Sequence, residues 1–127
     1  MINYSEYLTY TDIENFLTEA AEQNPDIMRL SALCETCEGR KVYLAEISEN
    51  ISSPETERKP AYFVQGSIHA NECGGSSAAI HLLDTLITER PEILKKIVFY
   101  LVQDCSIMYP IYWENRIFWR KKKIFGG

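Results

Sequence analysis

Ala61-Tyr62-Phe63-Val64-Gln65-Gly66-Ser67-Ile68-His69-Ala70-Asn71-Glu72 is the stretch on which the fold turns. Its first four residues are apolar and rich in β-formers, which predicts a short strand covered on both faces. Beyond it, Ala78, Ala79, Leu82, Leu83, Leu86 and Ile87 recur at helical spacing and predict a helix from Glu72 or Gly74 to Glu89. A strand feeding a helix is a unit of α/β architecture. In open sheets of that kind, ligand sites gather beyond the carboxyl ends of strands, where loops converge and helix N-termini point. His69 and Glu72 stand at that corner, three residues apart.

Upstream, Thr11-Asp12-Ile13-Glu14 reads as a capping box, with the Thr11 hydroxyl accepting from a free backbone N–H and Glu14 reaching back. Ile13, Phe16, Leu17, Ala20 and Ala21 then form one apolar face, and Asn24-Pro25 ends the helix, because proline disfavours a helical residue before it. Ile27 to Leu33 and Val42 to Ile47 are strand patterns joined through Gly39, which predicts an antiparallel pair. The polar segment from Asn50 to Pro60 predicts an exposed loop. Downstream, Arg90-Pro91 closes the second helix or opens a short one through Lys95. Ile97 to Val102 is apolar throughout and predicts a central strand. The order helix, two strands, strand, helix, strand predicts an α/β fold: a mixed β-sheet with flanking helices.

With 46% hydrophobic residues in 127, the chain can bury a core, and its length suits one domain or part of a larger one. The formal net charge of −5 is uneven. Arg116, Arg120, Lys121, Lys122 and Lys123 are clustered, so residues 1–115 hold only eight basic groups against eighteen acidic ones. An acidic body of this kind argues against a nucleic-acid partner. The N-terminus has neither a basic nor an apolar region of the kind a secretory signal needs. No apolar run approaches the roughly 20 residues of a membrane span, so no membrane partner is expected, and a cytoplasmic location is the default. Cys34 and Cys37 form a Cys-x-x-Cys in the first hairpin. Neither Cys73 nor Cys105 has a neighbouring partner that would complete a zinc site, and a redox pair belongs before a helix, so the two read as ordinary thiols in a turn.

Imidazole nitrogen and carboxylate oxygen are both good donors to zinc, and a catalytic zinc takes three protein ligands with a position left open. His69 and Glu72 could supply two, with the small Ala70, Gly74 and Gly75 leaving room for close backbone approach. The spacing differs from His-Glu-x-x-His, where two histidines four apart share one helix. Taken alone, His-x-x-Glu is a weak signal, because a lone histidine is often merely a hydrogen-bonded turn residue.

The order of several pieces says more. Tyr10-Thr11-Asp12-Ile13-Glu14, Asn24-Pro25, Cys37-Glu38-Gly39-Arg40 and Gly66-Ser67-Ile68-His69-Ala70-Asn71-Glu72, at these separations, resemble the zinc metallocarboxypeptidase family over about residues 4–103. The resemblance implies His69 and Glu72 as the first two zinc ligands of a peptidase that cleaves a peptide or peptide-like amide bond through a zinc-activated water. Glu114-Asn115-Arg116-Ile117-Phe118-Trp119-Arg120-Lys121 is similar to the family's Asn-Arg-x-Trp-Arg-Lys segment with one extra residue. It implies Arg120 as the guanidinium that stabilises the oxyanion, against the plain alternative of a solvated basic tail.

Three departures accompany the resemblance. Asn71 stands where digestive members often carry arginine. Asp104 to Pro110 replaces an expected Asn-Pro-Asp-Gly-like segment, and residues 104–127 form a divergent aromatic and basic tail. The third zinc histidine, the substrate-carboxylate pair, the tyrosine and the glutamate base of the family all lie further on than Gly127. His81 is the only other histidine. It lies about 13 Å along the helix from Glu72, too far to complete the site. The chain is therefore expected to be a single incomplete peptidase domain, truncated and weakly active or inactive, and to self-associate through an uncovered sheet or its aromatic tail. Two alternatives stay open: a non-catalytic interaction module, and a related zinc amidohydrolase.

Overall fold

The computed structural model describes residues 2–36, 39–66 and 73–103. Helix α1 spans Tyr10–Gln23, strands β1 and β2 span Met28–Glu35 and Lys41–Ile47, β3 spans Ala61–Gly66, α2 spans Cys73–Glu89 and β4 spans Val98–Gln103. The sheet order is β1-β2-β4-β3. β1 and β2 form the expected antiparallel hairpin, turned at Gly39 with φ +77°, a left-handed conformation suited to glycine. β2 pairs antiparallel with β4, whereas β3 pairs parallel with β4 through the crossover that contains α2. The sheet is therefore mixed, as the element order predicts.

β4 is central and its apolar residues are inside: Val98, Phe99, Leu101 and Val102 are all buried. They join Ile47, Ala45 and Met28 of the hairpin, Ile80, Leu83 and Leu86 of α2, and Ile13, Leu17 and Ala20 of α1 in the core. α1 and the hairpin are also tied by polar contacts. Tyr10 and Tyr43 both donate their hydroxyls to Glu14, at 2.9 and 2.8 Å. Burial, followed by the Glu14 hydrogen bond, pushes the Tyr43 phenol up to about 12. The N-terminal strap lies over α2: Tyr4 donates to Asp84 at 2.9 Å and its ring sits 5.1 Å from that of His81.

Four details differ from the sequence expectations. The capping box that opens α1 is built from Thr9 and Asp12, not Thr11 and Glu14. Both sets carry the right chemistry, but Glu14 is engaged by the two tyrosines, and the helix begins one turn residue after Thr9. In α2 the buried stripe is Ser76, Ala79, Ile80, Leu83 and Leu86, while Ala78 is exposed. The side facing the sheet is thus rotated slightly from the expected one, and Ile80, fully buried, is its centre. The Asn50–Pro60 segment is not simply a solvent loop, because Ile51 and Thr56 are buried and a 3-10 turn forms at Thr56–Arg58. Finally, β3 is not covered on both faces. It is one of the two edge strands of the described sheet, and Tyr62 and Phe63 are each 59% exposed.

Candidate metal centre

Parallel pairing places the carboxyl ends of β3 and β4 at one rim of the sheet, with Gly66 registered against Gln103. α2 starts only seven residues after Gly66, at Cys73. The chain that joins them is residues 67–72. His69 and Glu72 belong to it and lie outside the described residues, as does Arg120. What is described is the frame on either side, and it is closely fitted.

Gly66 is buried, and a Cβ built on it would approach the Gly75 carbonyl oxygen to 3.0 Å and the Ala79 Cβ to 3.2 Å. The end of β3 is thus packed directly on the first turns of α2, backbone against backbone. Gly74, by contrast, would have open space around an added Cβ. The sequence singles out Gly74 and Gly75 as the residues permitting close approach, but the strand residue Gly66 is the one whose missing side chain the packing requires. Its signal is the position itself, the last strand residue before a turn that must clear a helix.

The frame fixes the residues on either side of the six-residue connection, Gly66 by the β4 ladder and the start of α2 by that helix's buried face. The α2 N-terminus adds partial positive charge at this rim, which favours a carboxylate there. The donor types that the turn carries, one imidazole and one carboxylate, match the borderline softness of zinc. The chemistry of this donor set therefore fits a zinc ion. Among the described residues, no three His, Cys, Asp or Glu side chains come together as a metal-binding group. His81 belongs to the exposed surface of α2, where its ring meets Tyr4 and its Nδ1 lies 3.4 Å from Thr85 Oγ1. The structure thus keeps it as a helix-surface histidine. Cys34 is an exposed thiol at the end of β1, and Cys37 lies outside the described residues.

A mixed sheet with the parallel ends of β3 and β4 and the start of α2 at one rim defines an α/β domain. More particularly, the chain belongs to the zinc carboxypeptidase family, whose model matches residues 13–107. It is 31% identical over 124 residues to a carboxypeptidase B of Helicoverpa zea, covering 94% of this chain and 28% of that protein. It is 27% identical over 128 residues to human carboxypeptidase B, covering 95% of this chain and 30% of that one. A carboxypeptidase A structure from Helicoverpa armigera superposes with a TM-score of 0.74 at 16% identity, over 87% of this chain and 28% of that structure. A tomato leucine aminopeptidase mutant, K354E, also superposes, with a TM-score of 0.54 at 14% identity, over 76% of this chain and 23% of that one. The sheet alone is therefore shared with an aminopeptidase, and it is the family match that selects the carboxypeptidases. The chain spans less than a third of the length of these carboxypeptidase relatives.

Proposed function

We propose that this metallocarboxypeptidase-like chain carries the first part of a zinc-dependent site that hydrolyses a peptide or peptide-like amide bond. The observation that supports this best is the family match running through residues 13–107, with the turn between β3 and α2 inside it. His69 Nδ1 or Nε2 and a Glu72 carboxylate oxygen would hold the metal, and the packed Gly66 and the start of α2 would set the angle between them. When bound, zinc supplies Lewis-acid polarisation of the scissile carbonyl and an activated water. Arg120 would direct its guanidinium at the developing oxyanion, an interaction worth most where charge appears only in the transition state. Asn71 would line the same turn with a neutral amide and favour substrates that need no cation at that point.

A catalytic zinc takes three protein ligands, and His69 with Glu72 amounts to two. The 127-residue chain by itself is therefore expected to retain zinc weakly and to turn over little or no substrate. Zinc content and hydrolysis of a blocked dipeptide, measured on the product of the intact locus, test the assignment. His69→Ala and Glu72→Ala should each abolish both retention and turnover. Undiminished zinc and activity in the two variants would sink it.

A further inference from the structure

Lys59 is half-buried at the entrance to β3, and its Nζ is surrounded by oxygens that carry no formal charge. It donates to Ser48 Oγ at 2.9 Å, to the Glu49 carbonyl at 2.9 Å and to the Leu94 carbonyl at 3.3 Å. An ammonium has three N–H donors and no acceptor, so three oxygens satisfy it completely. Ser48 is fully buried, and its own hydroxyl lies 3.0 Å from both the Leu94 and the Ile97 carbonyls. Its single proton goes to one of them, which turns a lone pair toward Lys59. The backbone around the cage is pinned independently of the lysine, since Glu49 N–H donates to the Leu94 carbonyl at 2.9 Å and Ser48 N–H to the Ile27 carbonyl at 3.0 Å. The oxygens are therefore held in place by the end of β2 and by the 3-10 turn at Glu92–Lys95, not by the cation they surround.

From this geometry we infer that Ser48, Glu49 and Leu94 form a preorganised site for a monovalent ammonium-type cation, which Lys59 fills with its own side chain. All three oxygens are uncharged, which disfavours the hard divalent ions, since those prefer carboxylates. A primary alkylammonium offers the same three donors as Nζ and the same short apolar stem. It should enter when that stem is cut back.

The test uses the 127-residue chain and its thermal unfolding. Lys59→Ala should lower the melting temperature by roughly 5 °C, the size of shift that losing charge-assisted hydrogen bonds produces in a domain of this length. Propylammonium chloride should restore at least half of that loss, over and above its effect on the parent protein. Tetramethylammonium chloride, which has no N–H donor, should restore none. Lys59→Met keeps the stem in the channel without the donors, so it should be destabilised but not restored by propylammonium. If Lys59→Ala does not fold in plain buffer, recovery of the folded state with propylammonium but not with tetramethylammonium carries the same meaning. Equal effects of the two salts, equal recovery of the Ala and Met variants, or no recovery in either salt would overturn the proposal.

Discussion

At Gly66 the strand backbone and the helix backbone meet with no side chain between them. Gly66→Ala must displace either the Gly75 carbonyl or the Ala79 methyl, and overpacking of this kind costs about 1–3 kcal/mol. Urea denaturation should show that loss, whereas Gly74→Ala, made in open space beside Gly75, should be close to neutral. A second residue-scale expectation concerns the start of α1. Asp12 accepts from the Thr9 hydroxyl at 2.6 Å and from the Thr9 backbone N–H at 2.8 Å. These bonds, the hydroxyl's first, hold its carboxyl below the ordinary value. A carboxylate whose folded pKa is depressed stabilises fully above its unfolded pKa and loses that contribution as pH falls through the folded value. Thr9→Ala should thus cost about 1 kcal/mol at neutral pH. The gap to the parent should narrow below about pH 4, and parallel urea titrations at pH 7 and pH 3 read both numbers. A gap that widens in acid would contradict this account of the cap.

The elements differ in how plainly the chain announces them. β4 is readable because its apolar run is continuous and the strand really is enclosed, with β2 on one side and β3 on the other. β3 carries the same kind of run and yet exposes Tyr62 and Phe63, since apolarity reports what a strand is suited to touch, not what lies beside it. The hairpin is readable from Gly39 and its flanking β-formers. The start of α1 is not, because two threonines compete for one cap, and Glu14 is engaged by Tyr10 one turn away and by Tyr43, which is distant in sequence. The turn between β3 and α2 is legible as a place, from the change of period on either side of it. Gly66 is not, because its neighbour Gly75 becomes a neighbour only after the crossover folds. For α2 the consequence is specific: Leu83, 1% exposed, faces the core. Leu83→Ala should lose about 2–5 kcal/mol by leaving a cavity, while Ala78→Ser on the exposed side should change the urea midpoint little.

β3 is one of the two edges of the described sheet, and its Tyr62 and Phe63 are exposed. An apolar strand edge favours pairing with another strand, and charge at such an edge opposes it. The weight-average mass of the chain in sedimentation equilibrium is therefore expected to rise with concentration. Phe63→Lys should hold it near the monomer value, and a parent chain that stays monomeric throughout would argue against an exposed pairing edge. The strand order has a further bearing on how such a molecule comes into being. β1 and β2 can pair as soon as both exist, because only a short turn separates them. β3 and α2 have no strand partner in that hairpin; β4 alone touches β2 on one side and β3 on the other. Contacts between distant parts of a chain are the slow ones to form, and here both strand pairings that close the sheet wait on the same six residues. During synthesis the sheet stays in two pieces until Val98 to Gln103 arrives, and the rate at which that strand inserts sets how long the facing edges of β2 and β3 stay open to other chains.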